Sequence, residues 1–217
     1  AGNIVRNNSS KTIYTNILKT KNAYPAIFTD LLDSLVIGET SQPAYDAMTN
    51  TFYVIKMLDK ATEADSVLYR SIAIAGKDKE DTRTKVDSVM NALNAGTNFK
   101  ELAEKYNQTG DSLWMTSNMY QNSMLGTDDV NFVKTIFTSN VGETTEFNAS
   151  NGATMIIQVL DKKNPVTKYN VASIVKELLV SDETRTQEYN KFSSFLAANN
   201  NIELIEENAP KSNYHVQ

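Results

Sequence analysis

The strongest constraint on this chain is that it repeats itself. Tyr69-Arg70-Ser71-Ile72-Ala73-Ile74-Ala75 is echoed 102 residues later by Ala172-Ser173-Ile174-Val175. At the same spacing Asp81-Thr82-Arg83-Thr84 returns as Glu183-Thr184-Arg185-Thr186, and Glu101-Leu102 with Glu104 returns as Glu203-Leu204 with Glu206. Leu58-Asp59-Lys60 likewise matches Leu160-Asp161-Lys162, and Gly38-Glu39 matches Gly142-Glu143 at a spacing of 104. A fixed internal period means that one supersecondary unit is used more than once.

The middle of the chain spells the unit in full. Ile72 and Ile74 alternate with Tyr69, Ser71, Ala73 and Ala75, the period of a half-buried strand, after a polar linker from Glu63 to Ser66. Val86, Val89, Met90 and Leu93 mark one face of a helix that Gly96 stops. Asn98 and Glu101 have the spacing of a capping box before Phe99, Leu102, Ala103 and Tyr106. Residues 107–127 read as a loop around Leu113-Trp114-Met115. A third helix carries Val130, Phe132, Val133, Ile136 and Phe137, and Asn151-Gly152 signals a hairpin before the strand Met155 to Leu160. The expected class is α+β, in the order β-α-α-α-β-β over residues 66–162.

The flanks carry halves of the same unit. Residues 168–217 supply its first half (β-α-α), and residues 10–62 its second, with Ile27, Phe28, Leu31, Leu32 and Leu35 in the third-helix position. A half unit cannot bury its own apolar face. Two copies are therefore expected, the second a permuted domain assembled from the two flanks. Truncation is the alternative, with each half completed by a neighbouring molecule or left partly exposed.

Charge and composition exclude several functions. The net charge is −5 with no Lys/Arg block, which argues against nucleic acid as a partner. There is no cysteine, so thiolate chemistry and disulfides are absent. The single histidine, His215, rules out a multi-histidine metal site and leaves the serines of the central unit without a base for a hydrolytic triad. Acidic residues are scattered without calcium-ligand spacing. Neither a metal nor a cofactor is expected. No apolar run approaches membrane-spanning length, and the abrupt ends suit a piece of a longer chain.

The central unit resembles the parvulin (PpiC-type) family of peptidyl-prolyl cis-trans isomerases, or rotamases, in particular the SurA/PpiD-type folding factors of bacterial cell envelopes. The resemblance is carried by Arg70-Ser71-Ile72-Ala73-Ile74, by the run from Ala95 to Tyr106, by Gly110-Asp111 before Trp114, by Phe132 with Phe137, by Val141-Gly142-Glu143 and by Met155 to Leu160. It implies a periplasmic or envelope location, within a larger envelope-located chain. It also implies clients that are unfolded or extended polypeptides, outer-membrane proteins among them.

Active parvulins carry one histidine on the first strand and one on the last. The resemblance places Ser71 and Met155 at those two positions, and Ser173 repeats the first loss. Thr109, Asp111 or Ser112 falls in the region of the family's third polar group. Phe132 matches the aromatic residue of the proline pocket, while Asp128 stands where the family has a pocket methionine, with Met124 nearby. Isomerisation must lower a rotation barrier near 20 kcal/mol by aimed hydrogen bonds and desolvation. Without the histidine pair the polar half of that device is missing. No catalytic residue is assigned, and the expected peptide groove comprises Phe132, Met124, Trp114, Met115, Ser71 and Met155. Each has a plain structural reading too: Ser71 as a small residue filling a vacated slot, Met155 and Phe132 as packing, Trp114 and Met115 as cover for the core.

The sequence therefore points to a non-catalytic peptide-binding chaperone module. A working isomerase with an altered site and a structural or dimerisation scaffold are the alternatives.

Overall fold

Two strands of 24 residues each, β3 (Thr51–Ile74) and β6 (Thr154–Glu177), are hydrogen-bonded neighbours at the centre of a six-stranded sheet. The computed structural model describes residues 1–8 and 13–215. Residues 10–12 and 216–217 of the expected flanks lie outside the described residues. The chain divides into two compact units, Ala1–Lys176 and Glu177–Gln217.

In the first unit, α1 (Gly2–Asn8), β1 (Lys19–Thr20), α2 (Thr29–Ser34) and β2 (Ala44–Asp46) precede β3. Between β3 and β6 come α3 (Lys79–Asn94), α4 (Phe99–Glu104), β4 (Leu113–Thr116), α5 (Ser117–Tyr120), α6 (Thr127–Thr138) and β5 (Thr144–Asn148). Strand order is β1-β6-β3-β2, with β4 added beside the last part of β3 and β5 beside the first part of β6. β1 and β5 pair antiparallel with β6, and β2 and β4 pair antiparallel with β3.

Two sequence expectations change here. Glu63 to Ser66 is not a linker, since β3 runs through it. The stretch holds no Gly or Pro to break a strand, and its polar groups have partners: the Asp65 carbonyl accepts from Ser117 Oγ at 3.2 Å, and Glu63 lies 3.8 Å from Lys168 Nζ. Positions 62–66 and 162–168 lie within β3 and β6, which run through them without a break. Residues 107–127 are not all loop either. Leu113–Thr116 is a strand because it lies along β3, with Thr116 opposite Ser66 and Leu113 opposite Tyr69.

Three apolar clusters hold the sheet. Val67, Tyr69, Ile157 and Val159 pack under Val133, Ile136 and Phe137 of α6. Ile72, Ile74 and Ile156 pack under Val86 and Val89 of α3 and Phe99, Leu102 and Ala103 of α4. Tyr53, Ile55, Met57, Tyr169, Val171 and Val175 pack under Phe28, Leu32 and Leu35, so residues of both flanks share one core.

Two Gly-Glu turns make matching bonds. Gly142 N–H donates to Val159 O and Gly38 N–H to Met57 O, both at 2.8 Å. These glycines have φ of 85° and 92°, a backbone region that disfavours a side chain. In the second unit, α7 (Asp182–Ala198) and α8 (Ile202–Asn208) begin as α3 and α4 do: Ser181 and Asp78 accept from the backbone N–H three residues on, and Asn201 and Asn98 also serve as N-caps. Phe192 and Phe195 pack on Tyr214, with ring centroids 5.3 and 4.9 Å apart.

Candidate peptide-binding face

Strand alternation sorts the candidate residues before any distance is needed. Val67 and Tyr69 lie in the α6 cluster, so Ser71, two residues on, belongs to the same face. Met155 precedes Ile157 and Val159 on that face of β6 and stands opposite Phe147 of β5. Met115 of β4 is opposite Val67 and packs against the same cluster. Phe132, on the sheet-facing stripe of α6, lies between two rings: Tyr69 at 5.9 Å and Phe147 at 5.5 Å between centroids, both edge-on. Ser71, Met155, Met115 and Phe132 thus gather on one face, each half-buried.

The other two candidates lie elsewhere. Trp114 is opposite Leu68, one residue out of phase, so it falls on the other side of the sheet. There it is 38% exposed, with Lys163 Nζ 4.7 Å from its ring centroid. Met124 is 87% exposed in the turn between α5 and α6.

Neighbouring polar groups are committed to structure. The Asp128 carboxylate accepts from the Ser150 N–H (2.8 Å) and hydroxyl (2.7 Å), which hold it below the usual carboxylate range and tie the start of α6 to the hairpin. Asp111 pairs with Lys100 of α4 at 2.6 Å, and Thr109 Oγ1 accepts from the Asp111 N–H. Arg70 points to the opposite face, donating to Gln158 Oε1 at 2.7 and 2.9 Å and stacking 4.3 Å over Phe99. Gln108 clamps the end of β3, accepting from Ala73 N–H and donating to Ala73 O.

Chemically the face offers the Ser71 hydroxyl, the Tyr69 phenol, two thioethers and aromatic rings. Burial pushes the Tyr69 phenol further up, away from neutrality. His215, the sole histidine, is exposed in the other unit. Such a face can desolvate and hold an apolar side chain, but it supplies no proton-transfer pair. Among the described residues, no cluster of His, Cys, Asp or Glu could hold a metal ion.

Sequence reasoning missed one buried cation. Lys168 has a fully buried side chain, donates to Tyr120 Oη at 3.1 Å and sits 3.9 Å over the Phe137 ring. Burial pushes its ammonium down to about 8, against the opposing pull of Glu63 and Asp65. Its aromatic partners lie 31 and 48 residues away in sequence, and nothing local to Lys168 announces them.

A family model described as a PPIC-type PPIASE domain matches residues 52–163. The crystal structure of foldase protein PrsA from Streptococcus pneumoniae str. Canada MDR_19A is similar at 14% identity and a TM-score of 0.35, over 71% of this chain and 52% of that one. The chain thus spans about half the length of that structure. No curated protein matches the chain.

Proposed function

This chain belongs to the family of PPIC-type PPIase domains, and on that premise we propose that it is a folding factor that binds extended or unfolded polypeptide without isomerising it. One observation carries this reading. The face built around Phe132 gathers Met115, Met155, Tyr69 and Phe147, and the family resemblance sets Ser71 and Met155 at the two strand positions where active members carry histidine. Binding then rests on desolvated apolar contact, and no group there is arranged to stabilise a twisted amide. The clients are unfolded chains of the cell envelope, outer-membrane proteins among them, and the location is periplasmic. Cell fractionation tests the location.

Exchange spectroscopy by NMR on an X–Pro peptide tests the activity. The expected result is peptide line broadening that Phe132→Ser weakens, with the cis–trans exchange rate unchanged. Acceleration that Phe132→Ser abolishes would overturn the non-catalytic reading in favour of an isomerase. Absence of any peptide binding would leave a scaffold.

A further inference from the structure

A cavity of mixed lining lies away from the Phe132 face. It has a volume of about 280 Å³ and is walled by Tyr24, Pro25, Phe28, Tyr53, Val171 and Val175, with Ser173 also on its lining. Phe28 and Tyr53 meet edge-on, 5.3 Å between centroids. By the internal repeat Phe28 takes the place of Phe132, Tyr53 that of Met155, and Ser173 that of Ser71, at spacings of 104, 102 and 102. A second cavity, about 250 Å³, is lined by residues Gln121 to Leu125, including Met124. The two cavities share Ile13, Thr15, Lys19 and Ala23, so they form one groove with Lys19 at its middle.

Lys19 is what gives this groove a preference. It is held on β1 by pairing with Tyr169. Burial alone moves its pKa, downward, and no carboxylate among the described residues pairs with it. A partly desolvated ammonium without a counter-ion is stabilised by a carboxylate that arrives from outside. Apolar side chains lie on either side of it among polar ones: Phe28 and Tyr53 one way, and Met124 and Leu125, beside Gln121, Asn122 and Ser123, the other, with Leu125 packed against the α6 cluster.

We propose that this groove binds an extended polypeptide carrying an acidic residue between two apolar ones, with the carboxylate on Lys19 and the apolar side chains in the two cavities. The proposal rests on the reading that the chain binds extended polypeptide, but the residues it turns on, Lys19 and Phe28, lie outside the cluster that holds Phe132.

Fluorescence polarisation on the full chain tests it. Three labelled peptides are compared, alike except for Glu, Gln or Lys at the central position between apolar residues. The Glu peptide is expected to bind about fivefold tighter than the Lys peptide, the size of a partly exposed ion pair. Lys19→Met should erase that preference, and Phe28→Ser should weaken all three peptides. Lys19 is half-buried at a sheet edge, so its variant keeps the test usable if Phe28→Ser does not fold. Equal affinities in the unaltered chain, or a Glu preference that survives Lys19→Met, would overturn the proposal. Binding lost in Phe132→Ser but untouched in both groove variants would overturn it while leaving the proposed function standing. No binding of any peptide would overturn both.

Discussion

Lys162 Nζ donates to the Phe137 carbonyl, 2.6 Å away at the C-terminal end of α6, and so closes that helix from the strand beneath it. Lys60 does the same for α2, reaching the Leu32 and Asp33 carbonyls at 3.2 Å each. A cation at a helix C-terminus satisfies orphan carbonyls and complements the macrodipole. The two bonds are equivalent under the sequence repeat, and they anchor each helix to its strand in the same way.

Lys162→Met is therefore expected to destabilise the protein by about 1–2 kcal/mol, the range for a charge-assisted hydrogen bond with a dipole component. Lys60→Met should cost less, because its two bonds are longer and the Asp33 one is exposed. Urea denaturation of both variants checks the order.

Lys168 contributes with the opposite sign. Its folded-state pKa is depressed from 10.5 to about 8. Below about pH 8 both folded and unfolded chains hold the proton, and the full cost of burying the charge is present. Between about 8 and 10.5 the unfolded chain binds more protons than the folded one, so this contribution to stability rises with pH. Lys168→Met is expected to stabilise the protein at pH 7, the direction set by the depressed folded-state pKa, and to remove that rise. Tyr120 Oη retains the Leu18 carbonyl as an acceptor, 3.2 Å away. Denaturation midpoints measured from pH 7 to 10 report both effects.

The two helix pairs should respond differently to the same kind of substitution. Val86 and Phe99 are 0% and 2% exposed on α3 and α4, whereas Tyr189 on α7 and Ile202 on α8 are 69% and 71% exposed. Phe99→Ala should cost about 3–5 kcal/mol and Val86→Ala about 2. Tyr189→Ser and Ile202→Ser should each stay within about 0.5 kcal/mol. Thermal melts of the four variants distinguish the faces.

Trp114 gives an optical readout, since it is the only tryptophan. It sits across the sheet from Phe132, so a peptide bound on the Phe132 face should leave its emission unchanged. Lys163→Met should change the emission directly, by removing the ammonium 4.7 Å from the ring centroid. Titrating both proteins with the X–Pro peptide separates these effects.

Much of the fold was legible in local pattern. The helix faces of α3, α4 and α6, the turn at Gly142 and the hairpin at Asn151-Gly152 all follow from periodicity or from a residue that tolerates positive φ. The strand through Glu63 was not legible. A polar run without Gly or Pro can be linker or strand, and its pairing with groups such as Ser117 and Lys168 decides which. The candidate site was partly legible. Ser71, Met155, Met115 and Phe132 share a face because their register puts them there. Trp114 does not, because a shift of one residue in a strand turns a side chain to the opposite side.

The sequence by itself determined the α+β class and the 102-residue echo of short motifs, because these reside in residue identity and short-range spacing. Only the tertiary structure decided that the flanks share a core through Phe28, Tyr53 and Val171, that Lys168 is buried beneath Phe137, and that Lys19 joins two cavities. Each of those depends on contacts between residues far apart in the chain, whose partners are set by sheet register and helix packing and leave no trace in local pattern.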